Sequence, residues 1–160
     1  MPRLPAELID HLACGVAHQI GACDRDGLPR ICRGLAAQVE DDGRLSVLLS
    51  AQSGFELLAA IRDTARLSVV IARPSTHRTV QIKGNGAGVV VPAEPRYREL
   101  LRKRRDAFLR EVAGYGFTER FVDAWYAVRP EQLACVTFAP YGAWDQTPGP
   151  GAGRPIELLP

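Results

Sequence analysis

The sequence has little that points to a metal centre or to a nucleic-acid surface. Its formal net charge is only +2, too small to indicate general attraction to a polyanion. The three histidines are scattered without the spacing of a metal cluster. No pair of cysteines has the C-x-x-C spacing of a metal or redox motif, so we expect all four to be small buried hydrophobes. They are Cys14, Cys23, Cys32 and Cys135.

Long apolar runs are also missing. Apolar segments such as residues 67–72 and 89–91 have the length of a strand rather than the roughly 18 residues of a membrane span. Glu7 and Asp10 interrupt the apolar start of the chain, so we expect no export signal and a cytoplasmic location. The basic run 102–105 lies on the polar side of a predicted helix. Such runs are usually solvated, and we predict neither membrane nor nucleic-acid binding.

What is present is the pattern of an antiparallel barrel. Apolar residues alternate at period two in several segments, and Asp26-Gly27 and Asp42-Gly43 are hairpin turn signals between them. Helical spacing appears near the start, after the third strand, and twice before the last strand. We predict an α+β, mainly β fold: a six-stranded antiparallel split β-barrel with short flanking helices. The strands are expected at 16–22, 30–39, 45–50, 67–73, 79–91 and 133–138, and the two late helices at 93–112 and 118–128.

The chain of 160 residues fits one domain. We place the barrel at residues 1–140. Residues 141–160 are rich in glycine and proline, and we expect them to form a tail without regular structure that packs on the barrel. Trp144 is costly to leave in water, so it is expected near the ligand site, or else packed under the last strand.

One arginine stands out. At period two, Arg33 shares a face with Leu35, Ala37 and Val39, and a charge on an apolar face needs a partner. One interpretation is that Arg33, together with Arg30, holds an anion such as a phosphate. The other is a bulge after Pro29 that turns Arg33 outward, or a salt bridge to a nearby carboxylate.

Two further polar groups are candidates. Ser53 and Glu56 have the spacing of a capping box, which predicts a helix whose free amides take a phosphate with help from Ser50 and Ser53, or simply a capped helix. Thr79, Gln81 and Lys83 alternate on one strand face. That stripe is either solvated or a row of hydrogen-bonding groups for a planar heterocycle.

The segments 42–50, 55–61, 65–74 and 78–84 together resemble the FMN-binding split barrels of the pyridoxamine-phosphate-oxidase-like superfamily. The resemblance implies that FMN is the cofactor and that the protein is a homodimer with flavin at the interface, touched by both chains. It also implies that the phosphate is held from the second strand and the strand-to-helix loop, and the ring edge from the later strand pair. With the candidates above, the expected cofactor-binding residues are Arg30, Cys32, Arg33, Ser50, Gln52, Ser53, Thr79, Gln81, Lys83 and Trp144.

The sequence also departs from that family. The cation usual in the strand-to-helix loop is absent from residues 52–55, and so is the Arg-x-His substrate motif of true pyridoxamine-phosphate oxidases. We therefore expect an FMN-dependent oxidoreductase acting on an unidentified small molecule, with no catalytic side chain assigned and no metal. The alternatives are a non-catalytic flavin-binding or sensing protein and a haem-binding split barrel.

Overall fold

The computed structural model describes residues 2–160. Its centre is a barrel of six antiparallel strands. The strands are β1 (Ala17–Cys23), β2 (Pro29–Val39), β3 (Leu45–Ser50), β4 (Arg66–Ala72), β5 (Thr79–Val90) and β6 (Leu133–Asp145). They are neighbours in the order β3-β2-β1-β4-β5-β6, and pairing of β3 with β6 closes the barrel. This confirms the predicted fold class.

Four helices flank the barrel. They are α1 (Ala6–Ala13), α2 (Phe55–Thr64), α3 (Tyr97–Val112) and α4 (Glu119–Tyr126). Among residues 2–160, none of the helices combines the length and the apolar character needed to cross a membrane.

Two apolar cores hold these elements together. Inward-facing residues such as Ile20, Val47, Ile82 and Phe138 fill the barrel and are almost completely buried. A second cluster forms where α3 and α4 cover the outer face of β2, β3 and β6. Successive side chains of β3 point to opposite faces of the sheet. One set therefore joins the core inside the barrel, and the other set packs against the helices. Of the residues of β1, β4 and β5 that the structure describes, only Ala17 packs against this second cluster, so most of their outer face lies beside the late helices rather than under them.

The C-terminal part has more regular structure than predicted. Strand β6 does not end at Phe138 but continues to Asp145, and a short strand, β7 (Pro155–Ile156), pairs with it. The long β5 offers the extra partners, since Lys83 pairs with Gly142 and Gln81 with Trp144. The prediction of an irregular tail from residue 141 is therefore wrong for these segments.

Helix α2 starts differently from the prediction. It begins at Phe55 with Gly54 as its N-cap residue, and no side chain caps it. Glu56 accepts a hydrogen bond from Arg30 Nη1 at 2.9 Å instead of turning back to Ser53. A charged partner outcompetes a neutral backbone amide, so the predicted capping box is wrong.

The late helix predicted from residue 93 begins only at Tyr97, because Pro95 and the residues around it form a turn. The expected burial of all four cysteines is also only partly right. Cys32 and Cys135 are buried, whereas Cys14 is partly buried and Cys23 is exposed. Cys23 ends β1 in the outward phase, beside the inward Ala22.

Candidate functional site

The uncovered outer face of the sheet carries two rows of side chains. Paired residues on neighbouring strands point to the same side of a sheet, so the register defines each row. Both rows cross β2, β1, β4, β5 and β6 in that order. The first row is Arg33, Gln19, Val70, Gln81 and Trp144, and the second row is Ile31, Gly21, Ser68, Lys83 and Gly142.

A groove of about 650 Å³ runs over the middle of these rows, and Arg33, Gly142 and Trp144 at the row ends are not among its lining residues. Gly21 forms part of its floor, and a Cβ placed there would meet other atoms only at an ordinary 3.8 Å. Two large apolar side chains stand at its sides, Ile31 with 74% and Tyr141 with 52% of its surface exposed. The groove therefore combines a low floor with apolar walls, a shape that suits a flat ligand.

Hydrogen-bonding groups are fixed at the β5 side of the groove. Gln81 Nε2 donates to Ser68 Oγ at 2.9 Å, and Gln146 Nε2 donates to Gln81 Oε1 at 3.4 Å. The Lys83 ammonium group lies 4.8 Å from the centre of the Trp144 ring. That ring leans over Gly142, where a Cβ would come within 2.5 Å of it. Amide, ammonium and indole groups are thus presented side by side.

The two arginines of β2 behave differently. Arg30 lines the groove, but its charge is paired with Glu56 at 2.9 Å and with Asp24 at 3.6 Å. Arg33 lies on the outer side of β2, because a bulge between Gly34 and Ala36 breaks the alternation that would have placed it on the same side as Ala37, which faces the barrel interior. The structure thus agrees with the outward alternative and not with an apolar-face position.

In its outward position Arg33 forms no ion pair with any carboxylate of residues 2–160, and its contacts are with Trp125. Its guanidinium lies 4.1 Å from the centre of the Trp125 ring, and Nη2 donates to the Trp125 carbonyl at 2.7 Å. An exposed guanidinium held at one point still has N–H groups that face solvent and are free for an anion.

The remaining predicted residues are divided between two places. Ser50 and Gln52 line a second cavity of about 560 Å³, beside residues 127–130. Cys32 is buried with its Sγ 3.9 Å from Ser53 Oγ, and neither residue lines the groove. The Thr79 hydroxyl donates to the His77 carbonyl at 2.9 Å. Arg30, Gln81 and Lys83 therefore meet in the groove, with Trp144 against Lys83, while Cys32, Ser53 and Thr79 do not.

Four residues of the groove were not predicted from the sequence: Gln19, Gly21, Ser68 and Tyr141. A signal for two of them was available, since Gln19 and Gly21 alternate with the inward His18 and Ile20. Ser68 and Tyr141 become groove residues only through the pairing of β4, β5 and β6, which no local pattern reveals.

A third cavity, of about 510 Å³, lies between the β2–β3 hairpin and the start of α3. Its polar groups are engaged with one another: Tyr97 Oη donates to Glu40 Oε1 at 2.8 Å, and Arg96 pairs with the same carboxylate at 2.9 Å. Although burial opposes ionisation, hydrogen bonds from Ser46, Gln38 and Tyr97 hold the pKa of Glu40 at about 2. This network joins α3 to the barrel rather than facing a ligand.

No model of a known protein family matches the chain, and no curated protein matches it in sequence. Solved structures do match it. An F420 reductase aligns with a TM-score of 0.58 at 13% identity, over 88% of this chain and 98% of its own. HupZ of Group A Streptococcus aligns with a TM-score of 0.56 at 11% identity, over 94% of this chain and 99% of its own. A putative pyridoxamine 5'-phosphate oxidase of Lactobacillus delbrueckii aligns with a TM-score of 0.55 at 14% identity, over 89% of this chain and 93% of its own.

These identities are low, and what the structures share with the chain is the fold along almost its whole length. The closed six-stranded barrel is the same architecture that the sequence resemblance implied. The chain has the split β-barrel fold of pyridoxamine-phosphate-oxidase-like proteins.

Proposed function

We propose that the groove binds FMN and that the protein is a flavin-dependent oxidoreductase acting on a small molecule. The observation that carries the proposal is the first row, which has a free cation, Arg33, at one side and the fixed amide of Gln81 three strands away. Three strand spacings amount to about 14 Å. A nucleotide with an anionic end and a flat hydrogen-bonding end fits such a row. The fold of the F420 reductase and the putative pyridoxamine 5'-phosphate oxidase supports a flavin or a related cofactor.

The residues present suit each part of FMN. Arg33 would hold the phosphate by charge-assisted hydrogen bonds. The absence of a side chain at Gly21 would let the flat ring approach the sheet, and the Trp144 ring would contact its plane or edge. Gln81 would hydrogen-bond the polar edge of the ring, and the charge of Lys83 would favour an electron-rich ring. Bound flavin supplies the redox chemistry, and the protein supplies binding, orientation and charge.

The absorption spectrum of the purified protein tests this proposal, together with mass spectrometry of any small molecule released on denaturation. We expect flavin bands, or their appearance when FMN is added, and reduction of bound flavin by NADH or NADPH. Flavin bands without turnover by any donor would favour the sensing protein. Tighter binding of F420 than of FMN would show that F420 is the cofactor. A Soret band in the absorption spectrum would show that the protein binds haem instead of flavin.

Arg33→Ala is expected to weaken FMN binding by about 1.5–3 kcal/mol, the scale of a lost charge-assisted hydrogen bond. Arg30→Ala is the matched control and should cost less, because the charge of Arg30 is already paired. Isothermal titration with FMN gives both affinities, and circular dichroism confirms the fold of each variant. Unchanged FMN affinity in a folded Arg33→Ala protein would remove Arg33 from the site.

We further propose that the protein is a homodimer whose second copy covers the groove. Leu28, Ile31 and Phe55 are large apolar residues with 53%, 74% and 67% of their surface exposed, and Ile31 lines the groove. Tyr141, which also lines the groove, is exposed as well. A patch of this kind is typical of an interface. Analytical ultracentrifugation should give twice the mass of one 17.4 kDa chain at micromolar concentration, and a single-chain mass would contradict the dimer.

A further inference from the structure

The cavity that contains Ser50 and Gln52 lies where β3 ends and α4 leads into β6. The two chain segments are tied together there, since Ala51 N donates to the Gln132 carbonyl at 2.7 Å and Ser50 pairs with Leu133. The cavity is lined by one cation, three side chains with polar groups and no carboxylate. Its lining is Ser50, Gln52, Ala127, Val128, Arg129, Pro130 and Gln132.

Arg129 is the cation, and it is loosely held. Its side chain is 68% exposed, and it pairs with Glu131, itself 65% exposed, at 3.4 Å. Exposed ion pairs of this kind contribute little because water screens them and both side chains are mobile. The Arg129 guanidinium is therefore able to release Glu131 and bind an anionic ligand that forms stronger hydrogen bonds.

Arg33 ends the first row at β2, and the strand register places it next to this cavity. Strands β2 and β3 pair Gly34 with Leu49, so continuing that register by one residue sets Arg33 opposite Ser50. Arg33 also donates to the carbonyl of Trp125, near the end of α4, four residues before Arg129. Arg33 is thus opposite Ser50 in the extended register, and Arg129 lines the same cavity as Ser50. An anion beside Ser50 would therefore have a guanidinium from β2 and another from the α4–β6 turn in its neighbourhood.

We infer that Arg129, with Ser50 and Gln52, forms the phosphate subsite of the ligand bound in the groove. The strand-to-helix loop, residues 51–54, carries no cation. The positive charge for the phosphate therefore comes from Arg129, in the turn between α4 and β6, and not from this loop. The inference rests on the proposed function, because it assigns the anionic end of the same ligand.

The comparison of FMN with riboflavin tests the subsite, since riboflavin lacks the phosphate. We expect Arg129→Gln to weaken FMN binding about tenfold, as for loss of a charge-assisted hydrogen bond, and to leave riboflavin affinity unchanged. Arg129→Lys should keep most of the FMN affinity. Glu131→Gln should tighten FMN binding several-fold because it removes the competing carboxylate. Inorganic phosphate should compete with FMN but not with riboflavin.

The matched control is Arg110→Gln, which removes an exposed arginine from α3 and should leave both affinities unchanged. An equal effect of Arg129→Gln on FMN and riboflavin, or no effect on either, would overturn the subsite while leaving the groove intact. A wild-type protein that binds neither flavin would instead overturn the proposed function. The two failures are therefore distinguishable from one set of titrations.

Discussion

Gly21→Leu is expected to weaken FMN binding more than a hundredfold, which corresponds to about 2.7 kcal/mol, while the protein stays folded. The side chain would rise from the floor of the groove into the space assigned to the ring. The fold tolerates it because a Cβ at Gly21 meets only the Arg30 carbonyl oxygen and Ile31 Cγ1, both at 3.8 Å. A strand position also prefers leucine to glycine. Titration of flavin fluorescence measures the loss, and thermal unfolding checks the fold.

The matched control is Gly88→Leu. Gly88 also lies in a strand, β5, and a Cβ there meets nothing within 4 Å, but it belongs to the cavity beside Glu40 rather than to the groove. Its FMN affinity should equal that of the wild type. Full FMN binding by a folded Gly21→Leu protein would show that the ring does not lie over β1.

Acidification is expected to destabilise the fold through a buried histidine. His18 is 2% exposed, and its Nε2 has no hydrogen-bond partner. Burial lowers its pKa from 6.5 to about 3, and the nearby charge of Arg104 and the neighbouring His11 add to the effect. The pKa of His11 is also lowered, chiefly by burial. Both side chains are therefore neutral in the folded protein at neutral pH.

The sign of the effect follows from the two pKa values of His18. Below pH 6.5 the unfolded chain binds a proton at His18, whereas the folded protein does not until about pH 3. Within that window the free energy of unfolding falls by about 1.4 kcal/mol for each unit of decreasing pH, for this residue alone. Above pH 6.5 the contribution disappears. Urea unfolding between pH 7.5 and pH 5, where most carboxylates stay ionised, isolates the histidine effect.

His18→Leu removes the titrating group and should flatten this pH dependence by about 1.4 kcal/mol per unit. The control is His77→Asn at an exposed position with a φ of 57°, a backbone conformation that asparagine tolerates. It should keep the wild-type slope. A His18→Leu protein that folds and retains the full slope would show that protonation of His18 does not limit stability in acid.

Local patterns predicted most of the barrel. Strands β3, β4 and β5 were found almost to the residue, because buried apolar residues recur at period two along them, as at Val69 and Ile71 in β4 and at Val80 and Ile82 in β5. The pairing of β3 with β6, which closes the barrel, joins residues about ninety positions apart. It followed from the resemblance to split barrels and not from any local signal.

The site was predicted less completely, and the reasons are physical. One extra residue in β2, at Leu35, reverses the facing of Arg33 relative to Ala37, and a bulge leaves no clear mark in the sequence. The C-terminal strand extends because β5 offers free partners, a tertiary effect that overrides a sequence rich in glycine and proline. Arg129 lines the same cavity as Ser50 only because the α4–β6 turn packs against the end of β3.

The most direct test of the central claim, that flavin binds in the groove over the two rows, uses Trp144 as a reporter. The chain has two tryptophans, so a Trp125→Phe variant leaves the one beside Gln81 and Lys83. We predict that FMN quenches Trp144 emission strongly and saturably, and that the quenching disappears when Gly21→Leu is added to the same background. Saturation with FMN while Trp144 emission stays constant would contradict the account, because the flavin would then be bound elsewhere.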